Sequence, residues 1–194
     1  ELTLQGQANH AGTTPIELRH DAGFVAAAIA TFVRHLAIEI GPPQVATVGS
    51  LHVHPDLVNV VPARATLTVD LRNTDERVLR TAEQRLATFS HHLAEIEGVG
   101  ITFRSLARFE PVAFDPAVVD LVEATATRLG HSTMRMPSGA GHDAQMLARM
   151  CPSGMVFVPS AAGISHNPAE YTEPDDLVAG ADVLLQVVLG LVGT

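Results

Sequence analysis

His10 stands in the run Asn9-His10-Ala11-Gly12-Thr13-Thr14-Pro15. A loop histidine beside glycine and threonines can present its ring to a ligand and donate a hydrogen bond to a developing oxyanion. A surface turn with an ordinary histidine has the same spacing. Asn59, in Val58-Asn59-Val60-Val61-Pro62, and Arg72 bring an amide and a guanidinium, which together can grip a carboxylate, the guanidinium with two parallel donors. A turn residue and a strand-end ion pair explain the same two positions, and the residues alone do not choose. The run Pro137-Ser138-Gly139-Ala140-Gly141-His142-Asp143-Ala144 lets backbone approach a ligand closely and leads into a helix start that favours an anion; a tight strand-to-helix turn is the plainer alternative. It is not a phosphate loop, because G-x-x-x-x-G-K-[ST] is missing and the chain has no lysine. His166, in Gly163-Ile164-Ser165-His166-Asn167-Pro168-Ala169-Glu170, is a candidate zinc or manganese ligand; Glu170 can orient a ligand histidine or equally cap the following structure. One histidine does not make a metal site, and the distance from His166 to His142 and Asp143 is not readable from sequence.

Other candidates have blander readings. His20, His35, His52, His54, His91, His92 and His131 are expected to be structural or exposed; His91 and His92 are adjacent on a helix and cannot face each other. Cys151 has no evident activating partner and is expected to be a small buried hydrophobe. Neither a G-x-S-x-G elbow nor an H-E-x-x-H helix occurs.

The elements that must position these groups follow from periodicity. Residues 1–8 read as a strand and Asn9 to Pro15 as a loop. Val25, Ala28, Ile29, Phe32, Val33, Leu36 and Ile40 share a helix face, with Asp21 at its start and Gly41-Pro42-Pro43 stopping it. Residues 44–54 read as a strand with Val45, Thr47, Leu51 and Val53 on one side. Ala65, Leu67, Val69 and Leu71 alternate with polar residues, as a half-buried antiparallel strand requires. A second helix is predicted from about Thr74, with Val78, Leu79, Ala82, Leu86, Phe89 and Leu93 inward, ended by Gly98 and Gly100, and a strand near 101–107. The resulting β-α-β-β-α-β order over residues 1–108 suits a split βαβ sandwich with both helices on one side of a four-stranded sheet. After Glu110-Pro111 the pattern changes to an α/β rhythm. It has helices over 116–129, from His142 to about Met150, and from Pro174 to about Leu191, with short strands at 132–136 and Met155 to Val158.

Composition narrows the function classes. Hydrophobic residues make up 46% and charged residues 17%, which indicates a folded globular chain. The formal charge of -9, with 21 acids against 12 scattered arginines, disfavours nucleic acid and anionic lipid surfaces. The single cysteine excludes an internal disulfide and a cysteine-rich metal site, and a reducing, cytoplasmic setting is expected. The apolar stretches read as interrupted before membrane-spanning length. The chain starts at Glu1 with Leu2-Thr3-Leu4 already strand-like, which reads as a fragment or processed product.

Several runs together resemble one family. They are Gly6 to Pro15 followed by Arg19-His20-Asp21-Ala22, Asn59-Val60-Val61-Pro62, Asp70-Leu71-Arg72, Pro137 to Gln145, Val156-Phe157-Val158-Pro159-Ser160, and Ser165 to Glu170. The chain is similar over nearly its whole length to the amidase, hydantoinase and carbamoylase branch of the M20 metallopeptidase-like hydrolases. That branch includes N-carbamoyl-L-amino-acid hydrolase, β-ureidopropionase and allantoate amidohydrolase. The resemblance implies an α/β protein: a ferredoxin-like lid and dimerisation domain over residues 1–108, and the C-terminal remnant of an α/β metallohydrolase catalytic domain over 112–194.

The resemblance also implies roles. His10 would reach across a homodimer and steady the tetrahedral intermediate. Asn59 and Arg72 would bind substrate, Arg72 at its carboxylate, and the backbone of Gly139, Ala140 and Gly141 would contact it. His166 would be the last metal ligand of a pair of divalent ions, zinc or manganese, that polarise the carbonyl and activate water, with a glutamate as general base. The other ligands and that base precede Glu1 in family order. The implied picture is therefore a fragment with an incomplete or empty metal site, inactive alone and completed by a companion N-terminal segment. Its substrates would be N-carbamoyl amino acids or related ureido acids. The alternatives are an N-acyl amino acid or peptide hydrolase of the same fold, and a degenerate dimerisation or small-acid binding module.

Overall fold

In the computed structural model, which describes residues 1–192, the chain divides into two compact units, Glu1–Pro111 and the residues from Val112 onward. The first contains β1 (Leu2–Gln5), β2 (Asn9–His10), α1 (Ala22–Ile40), β3 (Val45–His54), β4 (Val60–Val61), β5 (Arg64–Arg72), α2 (Glu76–Ile96) and β6 (Gly100–Phe103). Four strands form one antiparallel sheet in the order β3-β5-β1-β6, and β2 pairs with β4 in a separate two-stranded ladder. Along the main sheet the chain runs β-α-β-β-α-β, as the periodicity predicts.

Both helices begin as their sequences require. Asp21 Oδ1 accepts from the amides of Gly23 and Phe24 at 2.9 and 3.0 Å, and Asp75 Oδ1 does the same for Arg77 and Val78 at 2.8 and 3.1 Å. From α1, Val25, Ile29, Val33 and Leu36 are fully buried against Leu4 and Leu67 of the sheet and Ala82 and Leu86 of α2. Each such side chain contributes on the order of 1.5–3 kcal/mol. Phe32 and Phe89 stack between the helices with ring centroids 4.0 Å apart. At the end of α2, Gly98 takes φ +61°, and a Cβ there would sit 2.5 Å from His20 Nδ1, so glycine is required on both counts.

The structure corrects the facing of β3. A bulge between Val48 and Ser50 shifts the register, so Ala46 and Val48 oppose Leu71 and Val69, whereas Leu51 and Val53 oppose Leu67 and Ala65. Val45 and Thr47 therefore do not share a face with Leu51 and Val53, because the extra residue reverses the alternation. The first strand is also shorter than expected. Residues after Gln5 leave the sheet, and Asn9–His10 pair with Val60–Val61, a ladder too short to show a period.

Helix α1 is itself 19 residues long with hydropathy 1.6, enough by length and composition to cross a membrane, contrary to the sequence expectation. Its inward face is packed into the sheet's core, the usual place of an apolar core helix.

The second unit contains α3 (Pro116–Arg128), α4 (Asp143–Leu147) and α5 (Pro174–Val192). Asp115 caps α3, accepting from Ala117 and Val118, with Pro116 at the first helical position. Helices α3 and α5 share a small core of Ala126, Val183 and Val187, flanked by Leu121, Val122 and Val156. No strand occurs among the described residues of this unit, so the strands expected at 132–136 and Met155 to Val158 are not formed. Residues of strand type still need a neighbouring backbone to accept their hydrogen bonds, and none lies alongside. The helix expected from His142 to about Met150 is confined to five residues.

Candidate active site

The loop carrying His10 is built from main-chain hydrogen bonds. His10 pairs with Val60, and the next amide, Ala11 N, donates to Asn59 O at 3.0 Å. His10 and Asn59 are thus adjacent, held by the β2–β4 ladder. The His10 carbonyl accepts from Thr14 N at 3.1 Å and from Thr14 Oγ1 at 2.8 Å, which closes the turn, and Thr14 is buried. The ring itself is oriented: Gly12 N donates to His10 Nδ1 at 3.0 Å. In the neutral ring this leaves the proton, and so a donor, on Nε2. A Cβ at Gly12 would lie 3.2 Å from His10 Cε1, so the ring would have to give by a few tenths of an ångström to admit one.

Arg72 lies elsewhere. It closes β5, opposite Val45, while the His10–Asn59 ladder lies beyond the Arg64 end of the same strand. Eight residue steps at about 3.4 Å put roughly 27 Å between the two ends. Within one copy, Arg72 and Asn59 cannot hold the same small carboxylate. The Arg72 guanidinium is paired with Asp70, Nε to Oδ1 at 2.9 Å and Nη2 to Oδ2 at 2.6 Å. The hydrogen bond from Arg72, helped by its charge and opposed by partial burial, holds the Asp70 carboxyl below the usual carboxylate range and raises Arg72 in turn. The ion pair is therefore present at that position. Sequence reasoning missed Gln44, whose buried side chain donates to Arg72 O at 3.0 Å and accepts from Asn73 Nδ2 at 3.0 Å, tying down the strand end. A glutamine after Gly-Pro-Pro gives no signal of burial.

In the second unit, Gly139, Ala140 and Gly141 form an exposed loop in which Ala140 N donates to Ser138 Oγ at 3.2 Å. A Cβ at Gly139 or Gly141 would meet nothing within 4 Å, so packing among the described residues does not demand glycine there. His142 caps α4 through Nδ1, which accepts from Ala144 N at 3.0 Å. His166 sits on a different loop, closed at its base by Ala161 N donating to Tyr171 O at 2.8 Å. Its φ of +55° is a left-handed conformation in which histidine is enriched among non-glycine residues. Of the two readings of Glu170, the structure shows a main-chain contact: its Oε2 accepts from the His166 amide at 2.9 Å and so shapes the turn. Cys151 is exposed, not buried, because the segment after α4 lies on the surface. Among the described residues, no group of three or more His, Cys, Asp or Glu could hold a metal ion.

Residues 32–190, which include parts of both units, match peptidase family M20/M25/M40. The chain belongs to that family. Its relatives include N-carbamoyl-L-amino-acid amidohydrolase of Rhizobium meliloti, 39% identical over 97% of this chain and 45% of that protein. Allantoate amidohydrolase of Escherichia coli is 39% identical over 94% of this chain and 44% of its own length. A crystal structure of an amidase of the hydantoinase/carbamoylase family from Burkholderia vietnamiensis superposes with a TM-score of 0.94 at 40% identity, covering 97% of this chain and 46% of that one. This M20 chain thus spans a little under half the length of the relatives it matches. Family members of the amidohydrolase type are generally metal-dependent.

Proposed function

We propose that this chain supplies the substrate-gripping half of a metal-dependent amidohydrolase that cleaves the carbamoyl C–N bond of N-carbamoyl amino acids or related ureido acids. Likeness over 97% of the chain to a protein named N-carbamoyl-L-amino-acid amidohydrolase carries the reaction class. The first unit acts as lid and dimerisation domain. His10 donates from Nε2 to the oxyanion that forms when water adds to the ureido carbonyl, and its fixed Nδ1 contact supports that role. Asn59, one residue along the same ladder, binds the substrate's polar end, and Arg72 binds a carboxylate. The separation of Arg72 from the His10–Asn59 pair suits a site that draws these groups from two copies of the chain. The Gly139–Gly141 backbone lies against substrate, and its freedom from internal crowding supports this.

His166 would be one ligand of a pair of divalent ions, zinc or manganese, which would supply an activated water in the complete enzyme. The donors among the described residues do not make such a centre by themselves. The remaining ligands and the general base lie on a companion catalytic segment outside these 194 residues. The chain alone is therefore expected to release no ammonia from N-carbamoyl amino acids with added zinc or manganese, and substantial turnover would refute this.

Roles are tested in a full-length chimera in which these residues replace the matching segment of the Rhizobium meliloti relative. Ureido substrates should be hydrolysed faster than N-acyl ones, and His10→Ala should lower the rate roughly 100- to 1,000-fold. A preference for N-acyl amino acids would overturn the substrate assignment.

A further inference from the structure

The guanidinium of Arg19 bridges two main-chain carbonyls of the His10 loop. Its Nε donates to Thr14 O at 3.0 Å and its Nη2 to Ala11 O at 2.6 Å, both in partly buried surroundings. These two carbonyls are the ends of the four-residue stretch that contains Gly12, whose amide points at His10 Nδ1. Four other contacts define the same turn: Ala11 N to Asn59 O, and Thr13 N, Thr14 N and Thr14 Oγ1 to His10 O. None of them constrains the peptide that carries the Gly12 amide from both sides. Arginine suits the task, because its planar fork reaches two acceptors at once in fixed geometry, whereas a lysine ammonium is a point donor on a flexible stem.

We propose that Arg19 is a positioning residue for His10: by clipping Ala11 O and Thr14 O together it holds the Gly12 amide on His10 Nδ1 and so keeps the ring proton on Nε2. The inference rests on the role assigned above to His10. It adds that the tautomer of this histidine is set by a side chain nine residues further along, which touches neither the ring nor a ligand.

The 194-residue chain with ¹⁵N-labelled histidine and backbone tests this directly. Long-range ¹H–¹⁵N spectra of the imidazoles, taken at a pH where the ring is neutral, report the tautomer, and amide exchange reports the Gly12 hydrogen bond. In the wild type, His10 should show an unprotonated Nδ1 and a protonated Nε2, with Gly12 protected. Arg19→Gln should reduce Gly12 protection by roughly tenfold or more and return His10 to the mixed tautomers of a free ring, while the amides of β5 stay unchanged. Arg19→Lys should fall between. Unaltered Gly12 protection and an unaltered His10 ring in Arg19→Gln would overturn the proposal. Loss of β5 protection as well would also count against it, since Arg19 would then be a general structural residue. Failure of the functional reading is a separate event: a chimera that keeps full activity as His10→Ala would remove the role of His10 and leave the clip intact.

Discussion

The two units have similar shares of apolar residues in their helices and use them differently. In the first, α1 and α2 close over a four-stranded sheet, and Leu4, Val25, Ile29, Val33, Leu36 and Leu67 are almost wholly removed from water. In the second, the only apolar residues that α3 and α5 bury among the described residues are Ala126, Val183 and Val187, while Leu177, Val178, Leu184, Leu185, Val188 and Leu189 of α5 remain exposed. The difference is one of backbone partners. A sheet gives a helix a flat apolar surface and satisfies its own strands, whereas residues Met155 to Val158 belong to no ladder. A helix that is apolar on most of its circumference, as α5 is, is suited to burial on more than one side.

The largest effect that separates the units is in the core. Leu67→Ala should cost about 2–5 kcal/mol in urea denaturation of the first unit. Val187→Ala should cost much less, because its small core opens to solvent; equal losses would erase the contrast. Hydrogen exchange sharpens it next. Amides of Val69 and Leu67, paired on both sides or within the ladder, should exchange roughly 100-fold or more slowly than those of residues 156–158. Comparable protection would mean that the second unit has a ladder after all.

Legibility in the sequence followed the same divide. The i, i+3, i+4 face of α1 and the alternation of β5 were readable because each has a partner within the unit, and Asp21 and Asp75 marked the helix starts. The bulge near Gly49 was not, since one extra residue leaves composition unchanged while it reverses the facing of β3. The valine-rich run at Met155 to Val158 has strand composition, but a strand is a pair property that one segment cannot supply. In the candidate site, the spacing of Asp70 and Arg72 puts both on one strand face, so the ion pair is implied by a period of two. The adjacency of His10 and Asn59 depends on a two-residue ladder and had no periodic signature. Arg19 was visible only as one residue of a motif, because its acceptors are main-chain oxygens.

Two smaller effects refine the first unit. Gly98→Ala should cost about 1–2 kcal/mol from the left-handed backbone, plus the displacement of His20; a thermal shift of the first unit measures it. The Asp70–Arg72 pair is half exposed, so screening limits it to about 1 kcal/mol at most. Its sign follows from the lowered Asp70 carboxyl: the contribution is complete above the ordinary carboxylate pKa and is lost as pH falls through the lower folded value. The stability difference between wild type and Asp70→Asn should therefore vanish in acid; a difference that grows on acidification would reverse the assignment.

On the function proposed above, His166 is one ligand of a metal centre that the described residues of this chain do not complete. Calorimetric titration of the purified 194-residue chain with manganese or zinc tests it most directly. The expected result is no stoichiometric, tight uptake, and no change in the titration for His166→Ala. Tight binding of two ions per chain, abolished by His166→Ala, would contradict the account.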